Sequence, residues 1–592
     1  MKINIVEWTR ILVFGLCTIF MSPPAFSQIG KISGEMKEYH KITLTWEGPY
    51  ADESRSTFTD YRLEVTFISP NNEKFVVPGY FAADGESGDS GANDGNKWRV
   101  HFLPLQSGEW QYKAEFGKGP LIAIAADGKM GEPLAFNGDM GSFTVEKTDK
   151  SGLDFRGKGK LQYIGEHFLQ FTDGGNFLKV GANSPEVLLE FADFDGTETD
   201  RTYPKHKSDW ITGDPSWKDG MGKGIIGVVN YLSDQGMNTH YFLMMNAYGD
   251  GKKAFPWTGP DNYYIYDVSK LDQWQIVFDH MMEKGIMPQF VLSEQENQSY
   301  FEQKEGGTFA YSRKVFYREM VARFGYLNAL TWNIGEENGW EKDTAYGKAI
   351  TSSQRKEFAD YLRGLVYYDD HLVVHNGPSD TDAIFSDLVG DHGYTGISYQ
   401  GNYENPYYGH DRIAFWREKS AEEGHKWVVT YDEPYTNPEM PNIDIWRKNA
   451  VWASFLAGGA GVEFYIGAGN DLTIEDYRLY GTYWNTLSIA HRFFIENKIP
   501  YSDMVSSDQL ISNGWCLAKP GDTYVIYLSE GGSAQLTLEE GNYSIGWYDP
   551  QTGGELAKGS ISQVKGSGTH SIGNPPSNPQ NDWVVLVQNA AN

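Results

Sequence analysis

The fold is decided by the stretch Ala329-Leu330-Thr331-Trp332-Asn333-Ile334-Gly335-Glu336-Glu337-Asn338-Gly339. Its apolar first half predicts a short buried β-strand, and its glycines end that strand. Two adjacent carboxylates, Glu336 and Glu337, follow the strand directly. Carboxylates at the end of a buried strand are costly to desolvate unless they are paired or used chemically. The pair is therefore a candidate site, although a solvated or salt-bridged structural pair stays an open alternative.

The region around this stretch alternates predicted strands with amphipathic helices, from about residue 149 to residue 500. Eight βα units over this length predict a (β/α)8 TIM barrel, in which the chemistry lies at the C-terminal ends of the strands. Glu336 and Glu337 then follow the fourth strand. The candidate strands are Phe177–Ala182, Thr239–Met244, Met287–Leu292, Ala329–Ile334, Leu372–His375, Gly396–Tyr399, Trp427–Tyr431 and Gly461–Tyr465.

Short alternating strands separated by turn residues flank the barrel region on both sides. Tyr61–Phe67 is an example before it and Tyr543–Tyr548 an example after it. This pattern predicts antiparallel β-sandwich domains over residues 28–148 and residues 501–592. The chain is therefore expected to be multidomain, with a central barrel between two sandwiches.

The first 27 residues have the pattern of a cleaved secretory signal peptide, with an apolar run from Ile11 to Met21 and small residues near Ser27. A secreted or periplasmic protein is expected. A lipoprotein anchored through Cys17 is disfavoured because the preceding residues match a lipobox poorly. Only Cys516 remains in the mature chain, so no intrachain disulfide is expected, and no other apolar run is long enough to span a membrane.

The composition limits the classes of molecule that the chain is expected to bind. The formal net charge of −29 excludes attraction to nucleic acid or to an anionic membrane surface. Aromatic residues make up 15% of the chain, with 18 Trp and 37 Tyr. Aromatic faces stack on the C–H faces of sugars, which favours a polysaccharide or oligosaccharide partner, although many of these rings must also fill cores. The sequence does not predict an oligomeric state.

A second pair of carboxylates, Asp432 and Glu433, follows the seventh predicted strand. Strands four and seven face each other across the mouth of an eight-stranded barrel, so their carboxylates can flank one bound bond. A carboxylic acid on one side of a glycosidic oxygen and a carboxylate on the other is what glycoside hydrolysis requires. From the residues alone, Asp432 competes with Glu433 for the role of nucleophile.

Further polar and aromatic residues follow the other strands and are candidates for binding a polyol substrate. Trp340, together with Trp210, Trp217 and Trp257 on other loops, could stack on sugars. Glu294 and Glu296, after strand three, are interpreted as loop residues. The predicted substrate-binding residues are Glu336, Asn183, Glu186, Asn246, Tyr248, His375, Tyr399 and Trp340, with Gln400 beside Tyr399 as a further hydrogen-bonding group.

The sequence resembles glycoside hydrolase clan A, and within it the secreted barrels of Bacteroidetes and planctomycetes that carry a β-sandwich on each side. The resemblance rests on Trp98–Pro104 and Gly108–Tyr112 in the N-terminal region, on Lys179–Glu186 at strand one and on Ala457–Val462 at strand eight. It implies a retaining hydrolase that acts on plant or algal polysaccharides or oligosaccharides.

The resemblance also implies roles for the two acidic sites. Glu337 matches the acid/base and Glu433 the nucleophile of the clan. One residue departs from the clan pattern, because Glu336 stands where the clan has an asparagine that binds the sugar next to the scissile bond.

Two alternatives remain open at this point. One is a catalytically silent carbohydrate-binding protein that has kept the barrel. The other is a metal-dependent hydrolase using His375 with carboxylates, which is disfavoured because the sequence has no His-x-His or similar ligand cluster. No metal and no cofactor are expected.

Overall fold

The computed structural model describes residues 30–125, 128–377, 381–436, 440–467 and 469–590. The predicted signal peptide, with Cys17, lies outside these residues. The described chain forms a parallel eight-stranded barrel with a β-rich domain on each side, which confirms the predicted fold class. None of the described helices is long and apolar enough to cross a membrane.

The N-terminal domain contains two antiparallel sheets, in the orders β1-β2-β6-β5 and β4-β3-β7-β8, with β9 paired to β7. In β3, Leu63, Val65 and Phe67 alternate with less buried residues, and their side chains fill the space between the sheets. There the Phe67 ring stacks on Phe102 with centroids 4.1 Å apart. The strands are β1 (Lys31–Gly34), β2 (Ile42–Asp52), β3 (Tyr61–Ile68), β4 (Lys74–Pro78), β5 (Tyr80–Phe81), β6 (Asp94–Phe102), β7 (Gly108–Lys118), β8 (Glu132–Pro133) and β9 (Met140–Val145).

A two-stranded hairpin leads into the barrel, whose strands are paired in the order β16-β15-β14-β13-β12-β19-β18-β17. An isolated parallel bridge between His375 and Ser398 closes the remaining gap between the fifth and sixth strands. The hairpin is β10 (Leu161–Gln162) and β11 (Gln170–Phe171), and the barrel strands are β12 (Lys179–Ala182), β13 (Thr239–Leu243), β14 (Met287–Val291), β15 (Thr331–Asn333), β16 (His371–Val373), β17 (Gly396–Asn402), β18 (Val428–Tyr435) and β19 (Gly461–Phe464).

Helices cover the outside of the barrel and bury apolar faces against it. Strands such as β13 and β14 are buried at every residue because they face helices outside and side chains inside. The helices are α1 (Arg55–Thr59), α2 (Ser87–Ser90), α3 (Lys223–Asp234), α4 (Val268–Lys284), α5 (Tyr300–Glu305), α6 (Tyr311–Phe324), α7 (Ser352–Leu365), α8 (Thr381–Ser386), α9 (Pro406–Gly409), α10 (Asp411–Glu422), α11 (Ile443–Trp446), α12 (Ala453–Leu456) and α13 (Gly481–Glu496), with a π-helical segment at Arg447–Trp452.

The C-terminal domain has a six-stranded antiparallel sheet in the order β20-β21-β22-β27-β24-β25 and a two-stranded sheet of β23 with β26. Its buried Asp582 accepts hydrogen bonds from two guanidinium nitrogens of Arg447, each 3.0 Å away. This pair fixes the domain to the barrel beyond strand seven. The strands are β20 (Val505–Ser506), β21 (Trp515–Lys519), β22 (Thr523–Leu528), β23 (Gln535–Leu538), β24 (Asn542–Tyr548), β25 (Gln563–Lys565), β26 (Gly568–Ser571) and β27 (Trp583–Asn589).

Candidate active site

The two acidic sites meet at the barrel mouth, defined here as the C-terminal ends of β12 to β19. Gln400, on β17, joins them. Its Nε2 donates to Glu337 Oε1 at 3.0 Å and to Glu433 Oε1 at 2.5 Å. Because one nitrogen contacts both carboxylates, these two oxygens cannot be further apart than the sum of the two distances. A short separation of this kind is compatible with the roughly 5–5.5 Å between the two carboxyl groups of retaining glycosidases.

The backbone after β15 turns sharply at Glu337, which has a φ of 42°. This left-handed conformation is uncommon for a residue with a side chain, and such strain persists only where neighbouring groups hold it. Here the Glu337 backbone N–H donates to His375 Nδ1 at 3.2 Å. Burial lowers the pKa of His375 to about 3, so its ring is neutral. The ring proton therefore sits on Nε2, which lies 3.3 Å from Glu433 Oε2.

Asp432 lies in the barrel interior, on the opposite side of β18 from Glu433. It accepts from Lys179 Nζ at 2.8 Å and from Ser398 Oγ at 2.6 Å. Lys179 also lies 3.2 Å from Glu463, and we call Lys179, Asp432 and Glu463 the interior cluster. Burial alone would raise the pKa of Asp432, but the charge and hydrogen bond of Lys179 hold it below its usual value. Asp432 is therefore ionised and fully engaged below the mouth.

A second group of carboxylates lies at the mouth. One oxygen each from Glu186, Glu336 and Glu433 lies within 4.8 Å of the other two, and we call these residues the mouth cluster. Glu186 Oε1, Glu336 Oε2 and Glu433 Oε2 are buried and accept no hydrogen bond. Buried polar atoms normally have partners, so orphaned atoms that converge on one space indicate a place for a ligand.

Burial and mutual repulsion raise the pKa values of the carboxyl groups at the mouth. Burial raises the pKa of Glu433 well above its usual value, and the charge of Glu337 adds to this effect. Burial also raises the pKa values of Glu186 and Glu336. The charge of Glu336 adds to the shift of Glu186, and the charge of Glu433 adds to the shift of Glu336. Burial also raises the pKa of Glu337, although the hydrogen bond from Gln400 opposes the shift. Carboxyl groups shifted in this way are typical of catalytic centres.

The predicted binding residues after strands one and two differ in whether their polar atoms are free to bind a ligand. Asn183 donates to the Asp432 carbonyl at 2.8 Å and leaves its buried Oδ1 without a partner. Asn246 uses both ends of its amide inside the loop, donating to Glu190 and accepting from the Ala254 backbone. Tyr248 lies in an aromatic group with Tyr300 and Tyr346, and its hydroxyl donates to Asp261 at 2.8 Å.

The predicted aromatic residues also separate into two groups. The Tyr399 hydroxyl is buried without a partner, and its ring packs on Tyr431 next to Glu433. The Trp340 ring lies against the backbone of Gly377, after strand five, at the edge of the mouth. Trp217 and Trp257 are 1% and 0% exposed and belong to the hydrophobic core, so neither offers a face to a sugar.

Three functional features were not predicted as site residues. Gln400 was noted only as a strand-end amide, and its bridging position depends on a register irregularity between Tyr399 and Gln400 that the sequence does not signal. Lys179 appeared only as part of an apolar strand. Asp471, on the loop after β19, accepts from the Glu186 backbone N–H at 3.4 Å, and burial raises the pKa of its carboxyl to about 7.

Two further clusters of described residues have spacings that a metal ion could use. Asp250, Glu294 and Glu296 lie beside the mouth, but the Glu294 oxygens already accept from Asp250 and Asn297. Lys342 pairs with Glu296 at 3.0 Å. The other cluster, Glu35, His40 and Asp149, lies in the N-terminal region among several basic side chains. Several carboxylates of both clusters thus already bind protein groups.

Comparisons with known proteins identify the flanking regions and the architecture. Residues 35–117 match a family model described as a domain of unknown function, DUF5060. Residues 499–588 match one described as a "putative collagen-binding domain of a collagenase". No curated protein matches the sequence.

Solved structures resemble the chain in fold. A "putative glycoside hydrolase" from Bacteroides vulgatus is 14% identical, with a TM-score of 0.62 over 94% of this chain and 99% of that one. A glycoside hydrolase family 5 structure from the same organism is 15% identical, with a TM-score of 0.55 over 75% of this chain and 96% of that one. At these identities the similarity is one of architecture.

Proposed function

We propose that this chain is a secreted retaining glycoside hydrolase of the clan A type, acting on plant or algal polysaccharides or oligosaccharides. The observation that carries the proposal is the bridge from Gln400 Nε2 to Glu337 and Glu433. It brings one oxygen of each of two carboxyl groups from different strands close together, and a short separation supports double displacement. The glycoside hydrolases of similar fold support the same reaction class.

In the first step, Glu433 attacks the anomeric carbon while Glu337 donates its proton to the leaving oxygen. The products are a glycosyl ester on Glu433 and the free leaving group. In the second step, Glu337 takes a proton from water, which attacks the same carbon and releases Glu433 as a carboxylate. The raised pKa of Glu337 suits a group that must begin the cycle protonated.

Two neighbours support this division of roles. Gln400 donates to Glu433, and this bond favours the ionised form that the nucleophile needs. His375 Nε2 lies 3.3 Å from the other oxygen of Glu433, and its N–H dipole at that distance also favours the ionised carboxylate, although no hydrogen bond joins the two atoms. The hydrogen bonds from Lys179 and Ser398, which hold the oxygens of Asp432 in the barrel interior, support Glu433 rather than Asp432 as the nucleophile.

The proposal is tested by screening plant and marine polysaccharides for released reducing ends, with Glu337→Gln and Glu433→Gln as paired variants. On a confirmed substrate, Glu337→Gln should lose about 10²–10⁴-fold in kcat, because the acid/base is removed. Glu433→Gln should fall to background. Glu166→Gln, at an exposed carboxylate paired with Lys426, is the matched control and should keep activity. Wild-type rates in both catalytic variants would contradict the assignment, and binding without turnover by the wild type would support the silent alternative.

A further inference from the structure

The mouth cluster has more buried carboxyl groups than the proposed reaction uses. Catalysis accounts for Glu433 and Glu337, which leaves Glu186 and Glu336 without a role. Glu186 is 4% exposed, and it has an orphaned oxygen, as does Glu336. Within the described residues, no lysine or arginine forms an ion pair with either of them. Something other than a basic side chain must therefore compensate for their charge.

The groups that face Glu336 are acidic or neutral on every side. Glu186 approaches it from the loop after β12 and Glu433 from β18, and Asp471, on the loop after β19, lies beside Glu186. Glu294 and Glu296 lie on the loop after β14, and Glu337 is its chain neighbour. The neutral groups are Tyr241 and Tyr465.

The nearest cations are committed elsewhere. Lys179 is held by Asp432 and Glu463 in the interior cluster. Lys342 pairs with Glu296. Arg201 donates to backbone carbonyls of the loop after β19. None of these side chains can neutralise Glu336 without abandoning an existing partner.

Three ionised carboxylates at this spacing repel one another strongly in a buried site, and like charges that share a site retain a proton. The proposed reaction requires Glu433 to be ionised, so the proton belongs to the other two residues. We propose that Glu186 and Glu336 share one proton, so that one of them is a neutral acid whose O–H reaches an oxygen of the glycone beside the scissile bond. This inference rests on the proposed function for the ionised state of Glu433 and for the identity of the ligand.

The shared proton also defines the kind of sugar that fits. A pair of carboxyl groups with one shared proton carries a single negative charge, donates one hydrogen bond and accepts others, which suits an uncharged glycone with a hydroxyl or ring oxygen at this position. An ammonium sugar or a divalent cation would instead require both carboxyl groups to be ionised. Glu336→Gln tests the difference because the amide keeps the shape and the donor but cannot ionise.

The first experiment needs no substrate and so does not depend on the proposed function. Infrared difference spectra at pH 7 compare the intact protein with Glu336→Gln and, separately, with Glu186→Gln. Each variant should lose the carbonyl band of a protonated carboxyl group. Glu166→Gln, at an exposed residue paired with Lys426, is the control and should leave that band unchanged. An unchanged band in both site variants would overturn the proposal.

Two further measurements complete the test. Added calcium chloride should leave the thermal midpoint of the wild type unchanged, and a rise that Glu336→Gln abolishes would show a cation site instead. On a confirmed substrate, Glu336→Ala should lose about 10–100-fold in kcat/KM because a hydrogen bond to the glycone is missing, and Glu336→Gln should lose less because its amide keeps a donor. Equal losses in both variants would contradict the shared proton. If no substrate is found, the infrared result still decides the proposal.

Discussion

The interior cluster and the mouth cluster lie in the same barrel, and of the two only the interior cluster contains a cation. In the interior cluster, Lys179 contacts Asp432 and Glu463, and Asp432 stays ionised with its oxygens fully bonded. In the mouth cluster, Glu186, Glu336 and Glu433 face one another with orphaned oxygens. The difference shows how one barrel separates carboxylates that hold the scaffold together from carboxylates that are available to a ligand.

Adjacent residues belong to different clusters because side chains alternate along a strand. Asp432 and Glu433 both lie in β18, and Asp432 points into the barrel while Glu433 reaches the mouth. Glu336 and Glu337 lie beyond the end of β15, where the chain turns at a φ of 42° and alternation no longer applies. Both of these glutamates therefore reach the mouth.

Removing Lys179, the cation of the interior cluster, should have the largest effect on stability. Lys179→Met leaves Asp432 buried without its partner, and breaking one side of a buried ion pair costs about 3–5 kcal/mol. The free energy of unfolding, measured by urea denaturation, should fall by that amount. Lys426→Met removes an exposed pair with Glu166 and should cost at most about 1 kcal/mol. Equal losses in the two variants would mean that the interior cluster is not a structural unit.

Removing Gln400, which bridges Glu337 and Glu433, should have the next largest effect. This effect should appear in the activity. Gln400→Met deletes a hydrogen bond to two carboxyl groups, and bonds to charged groups contribute about 1.5–3 kcal/mol, or roughly 10–100-fold in rate. The Gln400 bond lowers the pKa of Glu433, so its loss should move the acidic limb of the kcat/KM profile to higher pH. Gln106→Met, in the N-terminal domain, is the control. An acidic limb that does not move would contradict the role given to Gln400.

Substitutions at the two neighbours on β18, Asp432 and Glu433, should have smaller effects on stability, and these effects should have opposite signs. Asp432→Asn should destabilise the protein because Lys179 loses its partner, whereas Glu433→Gln should stabilise it by about 0.5–2 kcal/mol at pH 7 because one repelling charge is gone. The folded state holds the pKa of Glu433 above its unfolded value, so the wild type loses stability as pH rises through that window. The gain from Glu433→Gln should therefore disappear near pH 4. Destabilisation by both changes would contradict the comparison.

Most of the architecture could be predicted from the sequence. All eight barrel strands follow from apolar runs separated by amphipathic helices, and each predicted strand overlaps one of β12 to β19. Glu337 and Glu433 could be paired because the order of strands in a barrel fixes which ends face each other. These inferences need only local pattern and topology.

The remaining features depend on three-dimensional packing that the sequence does not encode locally. Gln400 bridges the carboxylates only because the pairing of β17 with β18 shifts by a residue at that point. Trp257 and Trp217 looked like loop aromatics, but the loops fold back and bury them. The partnership of Lys179 with Asp432 joins strands one and seven across 253 residues of chain.

The most direct test of the account is to find the nucleophile by mass spectrometry. Glu337→Gln is mixed with an aryl glycoside of the glycone identified by the screen, whose activated leaving group needs no acid. Because the base for the second step is missing, one glycosyl group should accumulate on each chain, and peptide mapping should place it on Glu433. The double variant Glu337→Gln/Glu433→Gln should stay unmodified. A glycosyl group on any other residue, or turnover whose first product has inverted anomeric configuration, would contradict the account.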